Sequence, residues 1–456
     1  MSKILTLADC VLSANTGLDA IKRAPIVTVN TGIRCIRIQD ISQSKAFEDW
    51  GFTEVTSINF EKFQLKSNDI FIARTGGSIG VNIFISTDLQ AVYNNGLIRI
   101  RVDTEKFHPK FIYFILRSDK YREHINSIAF GTAAQPNMKI KDFLSFELIE
   151  IPLYKQKQIV KILSDLDDKI QLNNQINRTL ESIAQAIFKS WFIDFDPVRA
   201  KIEARQEGKD PVLAAMCVIS GKSEAELRQM AKEDFAELQA TAALFPDELV
   251  ESELGDVPKG WEYKKLKDLC RVINGRAYKN TEFKEEGIPI VRIQNLTGGG
   301  KTVFSDLDLP QDKLIEKEDF IYAWSATFGP YIWRGPKSIY HYHIWKMDVD
   351  ETIISRYFLY LTMFRKTESM KSAGTGSIFT HLTKVIMESQ DVLIADNAIN
   401  MLFKDRIDKI FKLISLNSDE IKNLENIRDT LLPKLLSGEL DVSDLGSETE
   451  YEYSTE

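Results

Sequence analysis

Few places in this 456-residue sequence put reactive side chains at spacings that could support catalysis. TGGGKT (297–302) ends like a phosphate-cradling loop, but GxxxxGK[ST] would put its first glycine at Asn295. VFSDLDLP, after Thr302, does not read as the helix such a loop must open, so the segment reads as a glycine-rich turn. His341 and His343 alternate on an expected strand and so share a face, yet a zinc site needs two more ligands and none stands at convincing spacing. An exposed pair within YHYH is the plainer reading. No Ser or Cys occupies a nucleophile elbow, and the five histidines form no triad pattern. Pro246–Asp247 precedes ELVESELGDV, without the lysine a PD…(D/E)xK nuclease requires. No GxGxxG opens a helix and no NPPY-type tetrapeptide occurs. Neither a metal nor a cofactor is expected in this chain.

Other residues suit binding. ARTGGSIG (73–80) combines Arg74, Thr75 and Ser78 with glycines whose backbone amides no side chain obstructs, a composition able to approach phosphates and base edges. Gln39 and Gln294 close equivalent RIQ strands, and glutamine can pair bidentately with adenine. Ser325 and Thr327 occupy the small-residue loop of the second copy. The competing reading has Arg37, Arg292 and the glutamines holding the strand ends in place.

What must position these residues is a duplicated domain. GIRCIRIQDIS (32–42) matches GIPIVRIQNLT (287–297) without a gap. NDIFIARTGGSIG (68–80) echoes EDFIYAWSATFG (318–329), and AFGTAAQPN (129–137) echoes SAGTGSIFT (372–380). A repeat of about 245–255 residues is too long for a solenoid.

A heptad pattern follows each copy. Stepping by four and three from Ile159, the seam takes in Leu163, Leu166, Ile170, Asn173, Asn177 and Leu180, and continues to Trp191. Adding 244 gives the same register through Phe403, Ile410, Asn417 and Leu424 to Leu435. Pro152 precedes the first helix, Asp396 suits the N-cap of the second, and Pro433 followed by Gly438 should end it. A helix from about Lys155 to Phe192 would be ~57 Å long. A single apolar seam needs a partner, and two helices in one register supply each other; a buried Asn pins such a pairing at a cost in stability. Two helices packed separately on their own domains is the alternative.

Composition agrees. Hydrophobic residues at 44% and charged residues at 27% exclude global disorder. No apolar run approaches the ~18 residues a membrane span needs, and MSKILTLADC does not read as a secretory signal. Four cysteines without a close pair suit a reducing cytoplasm. The net charge of −8 is unevenly placed: +2 for residues 1–150, 0 for 151–196, −6 for 197–257, +3 for 258–395 and −7 for 396–456. Two mildly basic blocks are thus compatible with DNA, while a spacer and a tail carry the acidity. In the spacer, Ser223 and Glu226 suit a capping box opening one short helix toward Ala243.

These motifs together resemble the specificity (S) subunit of Type I restriction-modification systems. The resemblance rests on GIxxxRIQ[DN], the loop after NDIFIA, IPLxxxQ (151–156), AIFKSWFIDFDPVRAK (186–201), LGDVPKGW (254–261) and RDTLLPKLLSGEL (428–440). It covers nearly the whole chain. Departures exist: the first copy lacks the PxGW entry, and the second replaces Arg74 by Trp324 in a loop one residue shorter. The resemblance implies an α+β chain of two similar globular target-recognition domains separated by two long helices paired as an antiparallel coiled coil. The expected organisation is target-recognition domain 1 at 1–151, a helical spacer at 152–196, an acidic linker at 197–257, target-recognition domain 2 at 258–395, a C-terminal helical spacer at 396–440 and an acidic disordered tail at 441–456. Ile159, Leu166, Ile170, Asn173, Leu180, Ile410, Asn417 and Leu424 are the expected helix-pairing residues. Each domain would read half of a bipartite site in double-stranded DNA. Two modification (M) subunits would bring S-adenosylmethionine and adenine-N6 methylation, and restriction (R) subunits the ATP- and Mg-dependent nuclease. A coiled-coil scaffold without DNA binding is the rival reading.

Overall fold

The computed structural model describes residues 4–129, 137–297, 301–325, 327–372, 382–440 and 442. The chain divides into two compact units, residues 1–171 with 422–456, and residues 172–421.

In the first unit, Ile70–Ala73 and Leu97–Val102 pair antiparallel within a four-stranded sheet that also holds Val11–Thr16 and Asn82–Phe84. Ile70–Ala73 is apolar throughout, and Leu97–Val102 is apolar but for Arg99 and Arg101, because both faces of the sheet are covered. Side chains alternate between the faces: Ile70, Ile72, Ile98 and Ile100 meet Phe111, Phe114 and Phe143 from the helices. Phe71, Ala73 and Leu97 meet Cys35, Ile36, Val92 and Tyr93 from a second sheet. That second sheet joins Ile26–Val27, Phe52–Thr53, Arg34–Ile36 and Ala91–Tyr93, the last two in parallel.

The second unit repeats the plan. Phe320–Ala323 and Ile344–Val349 form the two-faced centre, with Phe320 and Tyr322 toward the helices and Ile321 and Ile344 toward Val291 and Tyr340. The second sheet again has a parallel pair, Ile288–Val291 with Ser338–Tyr340. Its margins differ. The first unit extends the shared three strands with Ile26–Val27 at one edge, the second with Leu314–Ile315 at the opposite edge. A shared ion pair crosses both centres. Asp69 lies against Arg101 at 2.7 Å and Arg99 at 4.0 Å; Asp319 lies against Lys346 at 2.8 Å. Asn68 and Glu318, one residue earlier, both adopt φ 70°, so the same left-handed turn enters the strand in both copies.

The two long helices span Leu153–Phe192 and Asn397–Ser437. Asp396 caps the second, its Oδ1 accepting from the amides of Ala398 and Ile399 at 2.9 and 3.1 Å. Pro433 does not end this helix but lies inside it; the chain leaves at Gly438, φ 75°. Contacts between the helices run antiparallel. In the first unit Arg428 Nη1 reaches Asp167 Oδ1 at 2.9 Å, and the other carboxylate oxygen takes Arg117 from the globular part at 2.8 Å. In the second unit Asn173 Nδ2 donates to Glu420 Oε2 at 2.9 Å and Asn417 Nδ2 to Asn177 Oδ1 at 3.0 Å. Ile159, Ile170 and Asn173 are buried; Leu166, Leu180, Ile410, Asn417 and Leu424 are half-buried. Part of each seam also serves its own globular core: Ile159 with Leu432 and Leu435 in one unit, Leu180 and Ile410 in the other.

The acidic segment between the repeats holds more structure than one short helix. Helices span Asp196–Gln206, Pro211–Ser220, Glu224–Leu227 and Lys232–Leu244. The Ser223–Glu226 capping box is present, but its helix stops at Leu227. Lys201, buried, donates its ammonium to the carbonyls of Ala243 and Phe245 and so ties the first of these helices to the end of the last. The alternating charges of this segment hide a small Ala215–Met216–Leu227–Ala242 core that its composition does not announce.

Candidate nucleic-acid interface

Gln39 and Gln294 do not close strands. Each lies, exposed, in a short helix that begins after the arginine, Ile38–Ser42 and Ile293–Leu296. Arg37 is spent locally: Nε and Nη2 bind the Asp40 carboxylate at 3.0 and 3.3 Å, and Asp40 also accepts from the Arg37 amide. Arg292 donates Nη2 to the Lys301 carbonyl at 2.6 Å, with Asn295 Oδ1 accepting from its amide at 3.0 Å. Both arginines therefore brace the strand end, while the glutamines stay free to face outward.

Arg74 is half-buried, and its Nη2 donates to Asn137 Oδ1 at 3.1 Å. Thr75 forms an isolated bridge with Asn137, and Ser78 sits half-buried in the turn that follows Gly76 and Gly77. In the second copy Ser325 is half-buried and Thr327 exposed. Strand pairing sets Ala73 opposite Val81 and Ala323 opposite Gly329. The loops are thus residues 74–80 and 324–328, a difference of two residues rather than one. Residues 130–136, 298–300, 326 and 373–381, which hold most of AFGTAAQPN and SAGTGSIFT and the glycines of TGGGKT, lie outside the described residues.

A third element, unrecognised in the sequence, joins the first two. In the first copy it is the turn Asn94–Asn95–Gly96. The amide of Asn94 donates to the Ile36 carbonyl at 3.3 Å, next to the Gln39 helix, and the amide of Arg74 donates to the Gly96 carbonyl at 3.0 Å. The equivalent turn is His341–Tyr342–His343: His341 donates to the Val291 carbonyl at 2.9 Å and Trp324 to the His343 carbonyl at 3.1 Å. A fourth strand end completes the frame. Asn95 donates to Leu18 at 2.8 Å, and Tyr342 to Arg276 at 3.0 Å. Gly17 and Gly275 precede these, and a Cβ on either would stand 2.2 Å from the Tyr93 carbonyl oxygen or 2.3 Å from that of His341. Only glycine permits that approach.

The histidine pair is therefore on a turn, not on a strand. The imidazole centroids lie 4.8 Å apart, and His343 stands edge-on to Trp324 at 5.3 Å. Burial, then His343 and Arg292 nearby, push His341 down to about 4; burial also lowers His343. Both rings are neutral at neutral pH, each with one donor and one acceptor nitrogen. Trp324 has no free donor, its Nε1 being bound to the Tyr342 carbonyl at 2.8 Å. No group of three or more His, Cys, Asp or Glu side chains among the described residues is placed to hold a metal ion. No helix among them is long and apolar enough to cross a membrane. Chemically, each copy presents a frame of backbone hydrogen bonds carrying exposed polar side chains.

Comparison with known proteins also finds two copies. The family model described as the Type I restriction modification DNA specificity domain matches twice, over residues 22–182 and 258–426. The HindI specificity subunit of Haemophilus influenzae, a Type I restriction enzyme component, is 32% identical over 407 residues, 83% of this chain and 88% of that protein. The MjaIX specificity subunit of Methanocaldococcus jannaschii is 25% identical over 350 residues, 74% and 70% of the two chains. Among solved structures, the S subunit of a Type I restriction-modification system from M. genitalium aligns over 95% of this chain and 96% of its own, at 16% identity and a TM-score of 0.48.

Proposed function

The chain belongs to the Type I restriction-modification specificity subunits, and from that premise we propose that its two domains read the two halves of a bipartite DNA site. The observation that carries this reading is one backbone frame built twice, with different side chains on its exposed turns. A scaffold would have no use for two such frames, and nothing else supports that alternative. Two domains joined to paired helices suit half-sites about one helical turn apart, roughly 34–36 Å, which present the same groove to both readers. Gln39, Arg74, Thr75 and Ser78, with Gln294, Ser325 and Thr327, are the proposed contacts from the first two elements of each frame.

Catalysis belongs, in this reading, to other chains. Two methyltransferase subunits dock on the helical regions and bring S-adenosylmethionine, and restriction subunits add ATP- and Mg-dependent cleavage. This chain binds no cofactor of its own and works in the cytoplasm. Methylome sequencing of a host that expresses the chain with its methyltransferase partner tests the proposal. Two short defined halves separated by a fixed run of arbitrary bases are expected; a continuous methylated motif overturns it.

A further inference from the structure

The two copies can be compared position by position, because their backbone hydrogen bonds correspond. Tyr93 and Tyr340, buried at 0% and 1%, end equivalent strands. Arg37 and Arg292, Asp69 and Asp319, Ala73 and Ala323, and Gly17 and Gly275 are identical pairs within the frame. Each has a reason to stay the same: an arginine bracing a strand end, a carboxylate pairing a cation, a glycine clearing a carbonyl. Gln39 and Gln294 are also identical, so they suit a feature common to both half-sites.

Directly after the two tyrosines the copies diverge. Asn94–Asn95–Gly96 corresponds to His341–Tyr342–His343, although five backbone hydrogen bonds hold both turns alike. Leu18 and Arg276 donate to the tyrosine carbonyls at 2.9 and 3.1 Å, Leu97 and Ile344 donate back to Asn94 and His341 at 3.1 and 2.9 Å, and the other three tie each turn to its neighbours as described above. Asn94 is committed to the turn, its Oδ1 accepting from the Gly96 amide at 3.2 Å. At the apex, Asn95 is exposed, and Tyr342 is 40% exposed. A rigid frame with a variable, exposed apex next to the Gln39 or Gln294 helix has the layout of a readout position.

Resting on the bipartite-site reading, we propose that Asn95 and Tyr342 occupy equivalent positions on the DNA and determine the base that each half-site requires there. Asn95 can donate and accept at once, the pattern of adenine N6 and N7 in the major groove. Tyr342 has one hydroxyl and an apolar ring, so it cannot make that bidentate pair and selects a different base. His343, in place of Gly96, crowds the same turn with a neutral imidazole.

Exchange of the apex residues tests this. The complete complex with Tyr342→Asn, or with Asn95→Tyr, is expressed in a host and its methylated motif is read by sequencing. The Tyr342→Asn complex is expected to change one position of the second half toward adenine, with the first half and the gap unchanged. Asn95→Tyr is expected to remove an adenine from the first half alone. The untouched half reports that the complex has assembled. If either variant abolishes methylation, the purified complex is titrated with duplexes carrying each base change in the affected half. A loss confined to one position, about 5- to 150-fold, supports the proposal. Equal loss on every duplex overturns it, as do unchanged motifs in both variants. An unsplit motif for the unsubstituted protein would sink the bipartite reading itself, before either variant is considered.

Discussion

Asn177 and Asn417 meet side chain to side chain between the antiparallel helices, Asn417 Nδ2 donating to Asn177 Oδ1 at 3.0 Å. Asn177 passes the bond on to Ser418 Oγ at 3.4 Å, and Asn173 binds Glu420 a turn away. The heptad arithmetic aligns Asn173 with Asn417 as equivalents, but antiparallel pairing gives each a different neighbour.

This polar layer is expected to set register. Replacing Asn417 alone with Leu leaves the Asn177 carbonyl without its donor and is expected to cost ~1–3 kcal/mol in chemical denaturation. Replacing Asn177 and Asn417 together with Leu should raise the melting temperature above that of the single variant while loosening register. More than one gap length in the methylome would report the loosening; a single gap with lowered stability would contradict it.

Asp69 is 1% exposed and neutralises Arg99, itself buried. Asp69→Ala strands that guanidinium in the sheet and is expected to cost ~3–5 kcal/mol of stability, measured by denaturant unfolding. A loss below 1 kcal/mol would mean that Arg99 finds water instead.

Arg74 contributes its backbone to the frame and one guanidinium nitrogen to Asn137. If the remainder reaches a base edge, Arg74→Ala costs ~1–3 kcal/mol of binding and relaxes one position of the first half-site. Even loss on all sequences with a shallower salt dependence would assign it to phosphate. Binding measured beside the melting temperature separates both outcomes from a bracing role.

Helix length should set spacing. Four residues inserted after Gln171 and four after Ile421 add about one turn, ~6 Å, and keep the seam nearly in phase. The expected motif keeps both halves and lengthens the unspecified gap. A changed half with the old gap would remove the helices from this role.

Acid should weaken the second frame. His341 titrates near 4 in the folded chain against 6.5 as a free side chain. Between these values the unfolded chain binds the proton and the folded chain does not, so stability is full above pH 6.5 and falls as pH drops toward 4. His341→Gln should flatten that part of the melting-temperature profile. Parallel profiles for the two proteins would show that His341 does not contribute.

Long periodic elements were legible in the sequence because their signal is repeated. The seam from Ile159 places both helices, and GIRCIRIQ beside GIPIVRIQ reveals the duplication. Local hydrogen bonding decided what the pattern could not. RIQ looks like the end of a strand, yet the Asp40 and Asn295 side chains accept from the arginine amides and start a helix there. NNG and HYH share no residue, and only the strand pairing on either side makes them one turn. The opposite edge strands, Ile26–Val27 and Leu314–Ile315, are two residues each, too short to have a period.

The second unit is one uninterrupted stretch, while the first joins the two ends of the chain. On the ribosome, residues 172–421 are complete before Lys422 has been made. Asp167 then waits for Arg428, and Ile159 and Leu163 wait for Leu432 and Leu435 to close their core. The domain synthesised first is thus finished last, by a closure across some 250 residues of intervening chain. Until the C-terminal helix is made, Asp167 lacks Arg428, and Ile159 and Leu163 lack the two leucines that complete their core.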